Sequence, residues 1–228
     1  GERLTMDMVV NDVIDLCDER GIKNAVFLGQ SMGGCLVMRI AERVPELVKG
    51  LVLLASPGGS PLQGLPLQPI LPGFLSTAMK INEANTGLAK LVDGIKNKVG
   101  KKKIFQNKLF ELGVREAFRH YGFNPKLSQT NDIESYLERI NEVPSDLFLD
   151  MASDLEKFDV EKMQRPIVCP TIILSGEMDK IIPIEEARRI HRAIPKSKLE
   201  IIDHGSHCPH FDDPVLVNNK IEEFINNL

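Results

Sequence analysis

The feature that most constrains this chain is a glycine-rich turn, Gly29, Gln30, Ser31, Met32 and Gly33, set between two segments of different periodicity. Before it, Ala25 to Leu28 is a short unbroken apolar run. After it, Cys35 to Arg43 carries helical spacing until Pro45 ends it. Strand, sharp turn and helix form the setting in which a GxSxG pattern carries chemistry. Such a turn holds its serine in a strained backbone with the hydroxyl pointing out of the fold. A side chain at either flanking glycine, Gly29 or Gly33, is expected to collide with the neighbouring strand or helix. The turn also aims the free N–H groups of the helix N-terminus at the place where an oxyanion would form, and the Met32 N–H is the expected donor.

The rest of the chain reads as alternating strands and helices with one long interruption. Met6, Val9, Val10, Val13, Ile14 and Cys17 make an amphipathic helical stripe, with Thr5 as N-cap and Gly21 as the stop. Residues 50–55, 171–175 and 199–202 are further apolar runs, as expected of parallel strands buried on both faces. Ile184 to Ile194 reads as a helix opened by Pro183. Asp213 and Pro214 start a last helix carrying Val217, Ile221, Phe224, Ile225 and Leu228 on one face. Between Pro57 and Pro166 the alternation fails. A Pro, Gly and Leu-rich stretch leads into helical patterns and a basic cluster at Lys96, Lys98 and residues 101–103, which reads as a solvated loop or helix end. This segment is expected to be a mostly helical cap lying over the ends of the sheet. The expected class is therefore α/β: a parallel sheet of about four strands flanked by helices, built from 1–56 and 167–228, with a cap at 57–166 inserted between the second and third strands. A length of 228 residues suits one such core with an insertion better than two full domains.

A serine hydroxyl is a poor nucleophile until a base takes its proton. His207 lies just past the fourth apolar run, and loops at the C-terminal ends of parallel strands meet at one edge of the sheet. His204 and His210 compete for the role. The base in turn needs a carboxylate to fix its tautomer. Asp179 follows the third run directly, with Glu177 as its rival, and the turn at 56–60 holds no carboxylate.

The blocks GQSMGG at 29–34, SGEMDKIIP at 175–183 and HGSHCPHFDDP at 204–214 resemble, in that order, the three signature blocks of the α/β-hydrolase superfamily. The position of His207 between Gly205 and Pro209 fits the family pattern. The resemblance runs from about Thr5 to the end, apart from the cap. It implies a catalytic triad of Ser31, Asp179 and His207, an acyl-enzyme intermediate released by water, and no cofactor. It also implies further strands ahead of Thr5 and a His-Gly loop giving a second oxyanion N–H. Those are not seen here, so the chain is expected either to be a fragment or to pair with a missing piece, and to be weak or inactive by itself, since one lost donor costs about 10²- to 10³-fold, with its first strand a bare apolar edge. The leading expected reaction is hydrolysis of a small to medium apolar acyl or aryl ester. Meta-cleavage-type carbon–carbon hydrolysis, acyl transfer, cofactor-free haloperoxidation and a catalytically silent binding scaffold stand as alternatives.

Composition bounds the remaining classes. A formal charge of -4 with 26% charged residues gives no footprint for nucleic acid. No apolar run nears the roughly 18 residues of a membrane span, and a cytoplasmic location is the default expectation. Cys17, Cys35, Cys169 and Cys208 lack paired spacing and read as reduced thiols. His204, His207, Cys208, His210, Asp212 and Asp213 could suggest a metal site, but Pro209 breaks the stretch, and no metal is expected. The expected partner is a small apolar molecule; oligomeric state is not legible.

Overall fold

A computed structural model describes residues 3–59, 115–116, 118–143 and 145–228. Helix α1 spans Met6–Glu19. The Thr5 hydroxyl accepts from the Met8 N–H at 3.2 Å, and Gly21 follows at a φ of 66°, so both ends close as the sequence predicts. Strand β1 (Ala25–Gln30), helix α2 (Met32–Arg43) and strand β2 (Val48–Leu54) come next. Between β2 and β3 lie helices α3 (Thr130–Glu142) and α4 (Ser145–Leu155). Strand β3 (Thr171–Gly176), helix α5 (Ile184–Ala193) and strand β4 (Ser197–Ile202) lead to the short helix α6 (Pro209–Asp212) and the final helix α7 (Pro214–Asn226). The expected cap falls largely on residues 60–114, which lie outside the described residues together with the Lys96–Lys103 cluster.

The strands pair parallel in the order β1-β2-β3-β4. Because side chains alternate across a strand, each apolar run feeds two cores. Leu51, Leu53 and Ile173 pack on one face with Val10 of α1, Met38 of α2 and Ile190 of α5. Val52, Leu54, Ile172 and Leu174 pack on the other with Val217 of α7. Burial on both faces holds for β3 throughout and for β2 except Lys49, whereas the outer strands β1 and β4 are mostly half-buried. Leu28 on β1, at an edge of the sheet among the described residues, is 52% exposed.

Two local expectations change. Pro209 does not break its stretch: it occupies the first turn of α6, where its missing N–H has no intrahelical role. On α7 the stripe narrows, since Val217, Ile221 and Phe224 pack inward while Ile225 is exposed.

Candidate active site

Strand register brings the site to one rim. Gln30 pairs with Leu54, Leu54 with Leu174, and Gly176 with Ile202, so the residues that follow each strand emerge side by side. Ser31 comes off β1, the acidic turn off β3, and the histidine loop off β4. Backbone bonds lock these exits together: the Ser31 N–H donates to Leu54 O at 2.8 Å, Glu177 N–H to Ile202 O at 3.0 Å, and Met178 N–H to Gly205 O at 2.8 Å.

Ser31 takes φ 51° and ψ -124°, the left-handed half of the map that side-chain-bearing residues avoid. The strain is tolerated because the turn is clamped on both sides. A β-carbon at Gly29 would lie on the Gly33 carbonyl and 2.6 Å from the Gly34 N, so the strand can meet the helix only through a glycine. At Gly33 a β-carbon would meet nothing within 4 Å among the described residues, which corrects the expectation that both flanking glycines collide with the neighbouring strand or helix. The demand falls instead on Gly34, where a β-carbon would land on the Ser56 side chain. Met32 opens α2, and as the first helical residue its N–H has no carbonyl four residues back within the helix.

Asp179 and His207 meet directly. His207 Nδ1 lies 2.9 Å from Asp179 Oδ2, and both side chains are fully shielded from solvent. The other carboxylate oxygen, Oδ1, accepts the N–H groups of Ile181 and Ile182, each at 2.8 Å. A carboxylate held by three donors cannot swing, and it orients the imidazole with Nδ1–H toward the acid and Nε2 as the free base. His207 Nε2 is buried and takes no hydrogen bond among the described residues, so no bond joins it to the Ser31 hydroxyl in this state. The two loops are linked through Gln30, whose amide reaches the His207 carbonyl at 3.5 Å and Cys208 Sγ at 3.4 Å.

The rivals go elsewhere. The His204 side chain is 75% exposed and lies beside Glu177, which also accepts the His204 N–H at 3.0 Å. His210 packs against Phe211 with tilted rings whose centroids lie 4.3 Å apart, and burial, followed by the neighbouring His207, pushes its basicity down. Asp212 turns away from the histidines toward Ser206, Asn124 and Ser128. Among the described residues no three His, Cys, Asp or Glu side chains converge as metal ligands. All four cysteines are unpaired, and burial pushes the Cys208 thiol up to about 12, which leaves it protonated and inert.

Over the histidine loop sits an aromatic cluster of Phe123, Tyr136 and Phe211 with Leu137 and Cys208, and the Phe118 ring lies 6.5 Å from the imidazole. A separate cleft of about 440 Å³ opens beside the N-terminal ends of β3 and β4, lined by Met163, Pro166, Ile167 and Ile194 among others, and includes none of the rim residues. No helix among the described residues is long and apolar enough to cross a membrane.

A parallel sheet whose serine turn, acidic turn and histidine loop share one rim is the architecture of an α/β hydrolase. The chain belongs to the alpha/beta hydrolase fold family, whose sequence model matches residues 2–214. It is similar to an uncharacterized hydrolase of Bacillus subtilis strain 168, YugF, with 25% identity over 213 residues covering 93% of this chain and 69% of the relative. It is also similar to a 2-hydroxymuconate semialdehyde hydrolase of Pseudomonas putida, with 23% identity covering 95% and 67%. Among solved structures, a thermophilic esterase from Thermogutta terrifontis superposes with a TM-score of 0.68 at 20% identity, over 99% of this chain and 74% of the other.

Proposed function

We propose that this chain is a serine hydrolase that cleaves carboxylic esters of small to medium apolar acyl or aryl groups through an acyl-enzyme. The observation that carries the reading is the buried His207, with Nδ1 on the Asp179 carboxylate and Nε2 without a partner among the described residues, at the rim where the strained Ser31 turn emerges. In the reaction, Ser31 Oγ attacks the ester carbonyl as its proton passes to His207 Nε2. Asp179 stabilises the imidazolium without itself taking the proton. The Met32 N–H donates to the developing oxyanion, helped by the partial positive charge at the start of α2. Collapse expels the alcohol, which leaves with the proton from His207. Water then attacks the acyl-Ser31 carbonyl by the same exchange in reverse roles, releasing the acid and the free serine.

The apolar preference rests on the aromatic residues above the histidine loop, Phe118 nearest the imidazole. We assign residues 57–166 to a cap over the rim, as the return of the chain through α3 beside that loop supports. A second reading, hydrolysis of a carbon–carbon bond in a vinylogous diketone, is favoured by the resemblance to the Pseudomonas putida enzyme, which covers nearly the whole chain.

The test is labelling by a fluorophosphonate probe, expected on wild type and lost in Ser31→Ala. A panel of short and long p-nitrophenyl esters beside a vinylogous diketone separates the two reactions. A folded wild type that takes no label sinks the hydrolase reading and leaves a silent scaffold.

A further inference from the structure

Five residues after His207, the buried carboxylate of Asp212 takes no part in the reaction above. Its two oxygens face opposite elements. Oδ2 accepts the N–H of Ser206, the residue immediately before His207. Oδ1 accepts the Asn124 N–H at 3.1 Å and the Ser128 hydroxyl, both from the segment leading into α3. The same segment grips the histidine loop at three more points. Ser206 Oγ donates to Gly122 O at 2.9 Å, the Cys208 N–H donates to the same carbonyl at 3.1 Å, and the Asn124 amide donates to His204 O at 2.9 Å. Both peptide neighbours of His207 are therefore bonded to residues 122–128 or to the carboxylate that binds them. That segment also continues back to Phe118, whose ring faces the imidazole.

We infer that Asp212 is a positioning residue, which fixes the backbone of His207 against residues 122–128 so that the base is aligned only while that segment is docked. The inference rests on the hydrolase reading and adds to it a link between the insertion and the base. Chemistry explains why a carboxylate is needed. Each of the three groups bonded to the Asp212 carboxylate among the described residues is a donor, and only a side chain with two acceptor oxygens can serve both sides at once. An asparagine here must turn its NH₂ toward one of them, leaving a buried N–H or O–H without a partner.

The experiment compares fluorophosphonate labelling of wild type, Asp212→Asn, Ser128→Ala and Val217→Ala, reading both the fraction of sites labelled and the rate per site at saturating probe. A residue that matters only for folding lowers the fraction labelled. A positioning residue lowers the rate at an undiminished fraction and with an unchanged half-saturating probe concentration. Asp212→Asn is expected to label fully but at least tenfold more slowly, and Ser128→Ala, which loses only one donor, two- to fivefold more slowly. Val217→Ala loosens the far face of the sheet and is expected to label at the wild-type rate. Equal rates for Asp212→Asn and wild type overturn the inference, as does an equal slowing in Val217→Ala. If Asp212→Asn fails to give a cooperative melt, Ser128→Ala decides, and a wild-type rate there overturns the inference. A wild type that never labels removes the hydrolase reading itself and the inference with it.

Discussion

A methyl group added at Gly34 would be driven into the Ser56 side chain, which itself donates to Gly29 O at 3.2 Å, whereas one added at Gly33 meets none of the described residues. Gly34→Ala should therefore cost about 1–3 kcal/mol through overpacking. Gly33→Ala, in a helical backbone, should stay within about 1 kcal/mol of wild type or gain slightly. Urea denaturation of the two variants checks this, and equal losses would contradict the steric assignment. The pentapeptide pattern names Gly33 because it marks the turn; the contact that needs a glycine lies one residue on, against a strand end more than twenty residues away in sequence. The shared edge of Ser31, Asp179 and His207 was legible because each follows an apolar run that becomes a strand, and parallel register carries all three to one edge. Gln30 and Asp212 were not, since their partners, backbone and side chain alike, are brought near only by folding. Within the rim, Asp179→Asn should lower kcat by about 10⁴-fold, because an amide facing Nδ1 favours the wrong imidazole tautomer. Steady-state hydrolysis of a p-nitrophenyl ester measures it, and a kcat within tenfold of wild type would remove Asp179 from that role.

Helix ends were the most readable elements, and their chemistry is local. The Asp213 carboxylate accepts the Leu216 N–H at 2.9 Å, with Pro214 in the first turn of α7, as the Asp-Pro pair implies. Asp213→Ala should cost about 1 kcal/mol of stability, seen as a lower urea midpoint at unchanged slope; no shift of the midpoint would mean that another group caps the helix. Helix α6 was hidden because four residues are too short for a periodic pattern. For α3 the sequence held more than a pattern reading extracts. Arg119 and Arg115 both pair with Glu134, and the hydrogen bond from Arg119, then that from Arg115, holds the Glu134 carboxyl down at about 2. Those partners are 15 and 19 residues apart, outside the three- or four-residue spacing that a single helix reveals.

At the scale of the whole molecule, both ends of the inserted segment are tied to α5. Glu186 Oε2 accepts the N–H groups of Gly58 and Gly59 at 2.9 and 2.8 Å as the chain leaves the sheet. As it returns, Arg189 donates to Asp159 at 2.7 Å and to Glu161 at 3.0 Å, and the Val160 N–H donates to Gly58 O at 2.8 Å. One turn of one helix thus gathers both stems, an arrangement that the absence of a carboxylate at residues 56–60 concealed. Burial alone would raise the Asp159 carboxyl, but the Lys162 and Glu161 N–H donors and the Arg189 charge outweigh it and leave the group below the usual carboxylate range. A depressed folded-state pKa means that the contribution is fully present above the unfolded carboxylate value of about 4 and is lost as pH falls through the lower folded value. The stems should open before the sheet does. Hydrogen exchange corrected for intrinsic rates should show protection at Val160 falling as pH drops below about 4 while Leu53 and Ile173 stay protected. Arg189→Met should show the same loss of protection already at pH 7, because the carboxylate then lacks its guanidinium partner. Protection at Val160 that is flat through that drop in pH and unchanged in the variant would mean that α5 does not hold the stems together.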